Sequence, residues 1–308
     1  MMEDTRELNE LIQELKSERN ALICAHNYQR REVQEIADYV GDFIDLAREA
    51  MKVSAEVLVL CGNRFMAQMA KVLSPQKLVL VTRRESGCPM ADTVTVEDVA
   101  RLRAGYPRAT FVCDVNIDAS VKAGCDVCCT AANAVEVVNR LDGEEIVIIP
   151  DRNLASWVSR YTTKKIIPGS GFCFVHERID PQSIRRVREL HPDASIIVHP
   201  GCRPEVVDLA DEVMSTSEMV KFCRVSDAQT IVVGSEEGLI HRLHRENPGK
   251  TFYTAGTARM CKNMKLTTLE DIYIALKEKR HQIELEEETR MRVRTTLERM
   301  FTLCGEAI

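Results

Sequence analysis

Short apolar, β-branched runs alternate with amphipathic stretches along most of this chain. EVLVL, EIVIIP and TIVVG are the clearest of these runs, each five or six residues long with no polar alternation. That pattern predicts strands buried on both faces, as in parallel sheets covered by helices. The segments between them carry helical periodicity, so the strands are expected to pair in parallel through right-handed crossovers.

The pattern also repeats. ALICAHNYQRREVQEIADYVGD and SIIVHPGCRPEVVDLADEVMST both give an apolar strand, a His, a short loop and then Glu-Val-x-x-x-Ala-Asp-x-Val. A middle copy, TFVCDVNIDASVKAGCDVCCTAANA, is more degenerate but keeps Val121 and Asp126 where the first copy has Val33 and Asp38. A second set of segments follows the first: VLVLCGNRFMAQMAKVLSPQKLVLVTRRESGCPM, EIVIIPDRNLASWVSRYTTKKIIPGSGFCF and TIVVGSEEGLIHRLHRENPGKTFYTAGTARMCKNM. Self-similarity on this scale defines the architecture before any local assignment. Each repeat reads strand, helix, strand, helix, strand. The fold class expected is α/β, three pseudo-threefold-related αβα sandwich domains with parallel sheets around a central cavity. The expected boundaries are 1–95 with an N-terminal helix, 96–180, 181–268, and a C-terminal helical extension over 269–308. Within that extension LEEETRMRVRTTLERMF reads as a solvated surface helix.

Each second segment closes on a cysteine in an equivalent loop: Cys88, Cys173 and Cys261, at nearly equal spacing. Three thiolates meeting on a pseudo-threefold axis can hold three irons of a [4Fe–4S] cube and leave the fourth open as a Lewis acid. Ligands of parallel α/β units sit beyond the carboxyl ends of the strands. His26 and Tyr28, Asn116, and His199 all follow the first strand of their repeat, so they are expected to face the same cavity.

Bulk properties narrow the classes. The 308 residues are 45% hydrophobic and 29% charged, with a net charge of −6, which is ordinary for a globular protein and gives no basic footprint for nucleic acid. No apolar run approaches the length of a membrane span, and MMEDTRELNELIQELKSERN lacks the apolar core of a signal peptide. The expected location is therefore the cytoplasm, where most of the twelve cysteines stay reduced and serve as small buried hydrophobes. Cys125, Cys128 and Cys129 include a C-x-x-C spacing, but no second pair is spaced to complete a four-ligand zinc site. His241 and His244 sit three apart on a helical pattern, which reads as a solvated basic face.

Many blocks together resemble the quinolinate synthase family: AHNYQRREVQEIADYVGD, CGNRFMAQMAKVL, GCPMAD, DVCCTAANAVEVV, PDRNL, CFVHERI, HPGCRPEVVDLAD, STSEMV, GLIHRLHRENP and CKNMK. The resemblance runs over essentially the whole chain. It implies a [4Fe–4S] enzyme of NAD biosynthesis, with Cys88, Cys173 and Cys261 as cluster ligands and one open iron, supplied by the iron–sulfur assembly machinery. It implies His26, Tyr28, His176 and His199 as catalytic groups, and His26, Asn116, His199, Ser215 and Thr216 as substrate-binding groups. The implied substrates are a small carboxylate, iminoaspartate, and a triose phosphate. Four positions depart from the family pattern: Phe43 and Ala131 stand for serines, Asp114 for a tyrosine and Gly201 for a glutamate. All four belong to the implied substrate site and none to the cluster. Two further readings follow from the departures: a paralogue using the same cluster on a different small hydroxy or carbonyl acid, or a non-catalytic iron–sulfur sensor or scaffold.

Overall fold

The computed structural model describes residues 2–305. It holds three parallel four-stranded sheets, each flanked by helices. The first contains β1 (Ala21–His26), β2 (Tyr39–Gly41), β3 (Val57–Cys61) and β4 (Leu78–Val81). The second contains β5 (Thr110–Asp114), β6 (Val127–Cys129), β7 (Glu145–Ile149) and β8 (Lys165–Pro168). The third contains β9 (Ser195–Val198), β10 (Glu212–Val213), β11 (Thr230–Gly234) and β12 (Thr251–Thr254). The order is the same in all three: β2-β1-β3-β4, β6-β5-β7-β8 and β10-β9-β11-β12. The α/β reading with three αβα sandwiches therefore holds. Each sheet has one strand more than the apolar pattern predicts, a short edge strand directly after the Ala-Asp or Cys-Asp step.

That edge strand is fastened by a device repeated in every sheet. The amides of Asp38, Asp126 and Asp211 donate to the carbonyls of Ile23, Phe111 and Ile196, each at 2.9 Å. Each aspartate's Oδ2 accepts the N–H of that same strand residue, at 2.8, 2.7 and 2.7 Å. A cation from the helix before the first strand closes on each carboxylate: Lys16 at 2.7 Å, Arg103 at 2.9 Å and Arg188 at 2.8 Å. The degenerate middle repeat thus keeps the one residue that fixes its edge strand. Asp211→Ala leaves the amide of fully buried Ile196 without an acceptor. It should lower unfolding free energy by about 1–3 kcal/mol in denaturant titration.

The chain forms two compact units, one of Met1–Gly87 with Met260–Glu287, the other of Cys88–Arg259 with Glu288–Ile308. In the first unit the opening helix (Met2–Glu18) and the helix Leu269–Glu278 share a core with the sheet, built on Ile12, Ile23, Val59, Leu80, Ile272 and Leu276. The second unit holds the other two sheets. Its last helix, Glu287–Leu303, is not simply a solvated surface helix: Val293, Leu297 and Met300 are fully buried, and Thr296 Oγ1 lies 3.2 Å from Cys128 Sγ. Charge on its outer face hides this from composition alone. No helix among the described residues is long and apolar enough to cross a membrane.

Candidate active site

The first strand of each repeat ends in the same turn. A side-chain acceptor on the residue at or just past the strand end takes the amide of the residue two further on. His26 Nδ1 accepts from the Tyr28 N–H at 3.1 Å, Asp114 Oδ1 from Asn116 at 2.8 Å, and His199 Nδ1 from Gly201 at 3.0 Å. Asp114 is therefore the middle counterpart of His26 and His199. An imidazole whose Nδ1 accepts carries its proton on Nε2 when neutral, so His26 and His199 present Nε2–H donors beyond their strands.

In the first unit the His26 and Tyr28 rings meet edge to face at 4.6 Å. Burial, reinforced by the Lys265 charge, brings the His26 pKa down to about 3, so the ring is neutral at physiological pH. Lys265 is itself buried, with Nζ donating to the Tyr28 carbonyl at 2.6 Å. Phe43 is buried at the start of the helix Phe43–Lys52, whose N-cap is Asp42. Cys261 is half-buried in the loop beyond β12.

In the second unit His176 and His199 stack with centroids 4.2 Å apart and planes 10° from parallel. His176 Nε2 lies 3.3 Å from Ser235 Oγ, and burial lowers its pKa to about 4. Cys88 follows β4, and Cys173 is the N-cap of the short helix Phe174–Glu177 after β8. Burial raises the Cys173 thiol, and Cys88 is near enough to raise it further. Ala131 is half-buried in the loop after β6. Ser215 caps the helix Thr216–Val225 in a reciprocal box with Glu218, and both Ser215 and Thr216 are buried. Thus His176, His199 and Gly201 come together in one unit with Cys88 and Cys173, whereas His26, Tyr28, Phe43 and Cys261 belong to the other.

One residue near this group was not singled out in the sequence. Asp151, buried just beyond β7, caps the helix Arg152–Ser159 through Oδ1, which accepts from the amides of Asn153 and Leu154. The adjoining residues form a hub. Asn153 Nδ2 donates to Glu177 Oε2 at 2.8 Å and to the Gly201 carbonyl at 3.0 Å, and Arg152 pairs with Glu177 at 2.8 Å. Burial, together with the Asp114 charge, pushes the Asp151 carboxyl up to about 7 against the pull of its two capped amides. Burial also carries Asp114 up to about 6, against the Asn116 amide and the Lys122 charge. The usable signal was a Pro-Asp directly following a buried strand, the position where parallel sheets present ligand groups.

Of the twelve cysteines, only Cys88, Cys173, Cys261 and Cys304 are partly exposed. Cys128 is buried, with its sulfur 3.8 Å from Cys113 Sγ.

Comparison with known proteins agrees over nearly the full length. The family model described as "Quinolinate synthetase A protein" matches residues 10–302. The chain is 48% identical to the quinolinate synthase of Thermodesulfovibrio yellowstonii over 295 residues, covering 96% of this chain and 97% of that one. It is 44% identical to the quinolinate synthase of Methanoregula boonei over 302 residues, covering 98% and 100%. It is also 46% identical to quinolinate synthase 1 of Methanosarcina acetivorans over 292 residues, covering 95% and 96%. With a family model matching residues 10–302 and a relative 48% identical over 96% of the chain, the chain belongs to the quinolinate synthetase A protein family.

Proposed function

We propose that this protein is a [4Fe–4S] enzyme of NAD biosynthesis that condenses iminoaspartate with dihydroxyacetone phosphate, forming quinolinate, phosphate and two waters. The observation that carries this reading is the repetition of chemistry with topology: three partly exposed cysteines, each following the outer strand of its sheet, in a chain whose relatives are named quinolinate synthase. Cys88, Cys173 and Cys261 fit the cluster by donor type, partial exposure and equivalent placement, and the nearness of Cys88 to Cys173 agrees with a shared ligand set. When bound, such a cluster supplies an open iron that polarises a hydroxyl or carboxylate oxygen.

The remaining work falls to the protein. Nε2–H of His26 and of His199 donates to substrate oxygens, and because burial keeps His26 neutral it does so without carrying charge. The Tyr28 phenol and the Asn116 amide add donors beyond the first strands of their repeats. Ser215 and Thr216, at the N-terminus of a ten-residue helix, favour an anionic end of the substrate. His176 holds His199 in place by stacking. On this reading the repeats divide near residues 95, 180 and 268, and each supplies groups from loops beyond its own strands.

A second reading is favoured by one observation: Asp114 stands buried where the resemblance implies a phenol. On that reading the same cluster acts on a different small hydroxy or carbonyl acid. Complementation of a quinolinate auxotroph, with an anaerobic assay on iminoaspartate and dihydroxyacetone phosphate, separates the two. Quinolinate turnover supports the first. A fully loaded cluster with no quinolinate formed supports the second.

A further inference from the structure

Side chains from three loops converge on one glycine. A Cβ built on Gly201 would lie 3.0 Å from His199 Nδ1, 3.1 Å from Asp151 Oδ2 and 3.2 Å from His176 Nδ1. Position 201 is bare because two imidazoles and a carboxylate occupy the space in which its side chain would begin. Asp151 is fixed from both ends. Its Oδ1 is committed to the start of the helix Arg152–Ser159, and Asn153 beside it grips the Gly201 carbonyl. Only Oδ2 faces the histidines.

We propose that Asp151 is the general acid of this site, holding a proton on Oδ2 beside the stacked His176–His199 pair and delivering it to a substrate hydroxyl that leaves as water. The Oδ2–H bond breaks and its electron pair stays on Asp151. The proton joins the departing oxygen as its bond to carbon breaks, the electron pair of the neighbouring substrate C–H bond forms the new double bond, and that proton passes to solvent, which returns one to the carboxylate. The inference rests on the reading that the site eliminates water.

The groups around Asp151 support the assignment. Asp114 arrives from β5 and Cys129 from β6. His176, Glu177 and Cys173 come from the segment after β8, and His199 and Cys202 from the loop after β9. Asp114 and Glu177 add negative charge that keeps the proton on Asp151. His176 is neutral down to about pH 4, so the carboxyl keeps its proton to higher pH than that ring does.

Asp151→Asn in the cluster-loaded full chain tests this. Asn retains an acceptor for the helix cap, so the fold should survive. The sign of the stability change is fixed by the raised carboxyl: ionising it opposes folding above about pH 7 and costs nothing below about pH 4. The variant's denaturation midpoint should therefore exceed the wild type's at pH 8 and converge with it at pH 4. Turnover should fall by ~10²–10⁴-fold, chiefly in kcat, and the loss of activity through about pH 7 should vanish from the residual rate. Infrared spectra of protein labelled with carboxyl-¹³C aspartate, taken without substrate, should show a protonated carboxyl that disappears through about pH 7 and is missing from Asp151→Asn. Gly201→Ala, which must displace one of the three converging groups, should shift that midpoint. Asp114, raised to about 6, keeps its own band in both proteins; a variant that keeps the wild-type pH profile, or a band titrating through about pH 7 that survives the substitution, overturns the proposal. The band depends on no substrate, so its presence supports Asp151 even where quinolinate fails to form.

Discussion

Replacing Cys88, Cys173 or Cys261 by serine should remove the cluster, while Cys128→Ser should leave it intact. Anaerobically purified wild-type protein should be brown and carry about four irons per chain, the content of one cubane. Serine keeps the size of cysteine but offers an alcohol in place of a thiolate, and iron–sulfur cubes are held by thiolates. Cys88, Cys173 and Cys261 are partly exposed in equivalent loops. Cys128 is a buried side chain whose sulfur packs against Cys113 and Thr296, and burial keeps it a thiol. Iron and sulfide analysis with Mössbauer spectroscopy reads the outcome directly. Iron lost from Cys128→Ser and kept in Cys88→Ser would show the ligand set to be wrong.

His26→Asn and His199→Asn should each reduce kcat/KM by ~10²–10⁴-fold while leaving the fold unchanged. The middle repeat is the precedent. There a carboxylate oxygen of Asp114 accepts the amide two residues on, as the imidazoles do in the other repeats. An asparagine Oδ1 can take the same hydrogen bond, so the turn survives and only the Nε2–H donor is lost. Circular dichroism and denaturation midpoints should match wild type, while anaerobic turnover with each substrate varied reports the loss. Wild-type turnover from either variant would remove that histidine from the chemistry.

Much of this architecture was legible because its strands are buried on both faces. Val57–Cys61 and Ile146–Ile149 have no polar alternation to obscure them, and the repeated spacing marked His26 and His199 as equivalent. The edge strands were not legible, since Glu212–Val213 is two residues long and carries no period. The aspartates that fasten them were visible only as part of a motif. Asp114 could be seen as a departure from the family pattern, but its kinship with the two histidines lies in a backbone turn. Asp151 was missed because a lone aspartate before a helix reads as a cap, which it also is. Its acidity comes from burial and from neighbours distant in sequence, such as Asp114 and Glu177.

The discontinuity of the first unit bears on how the protein is made. Its sheet is complete at Val81, yet the helix that covers Ile23, Val59 and Leu80 begins only at Leu269. At ~5–20 residues per second a ribosome needs roughly ten to forty seconds to cross that interval. Throughout it that face of the nascent first sheet is covered only by the opening helix, which makes it a natural client for chaperones that act during translation. Cys261 emerges in the same late segment, so with the proposed ligand set cluster assembly would follow synthesis of nearly the whole chain.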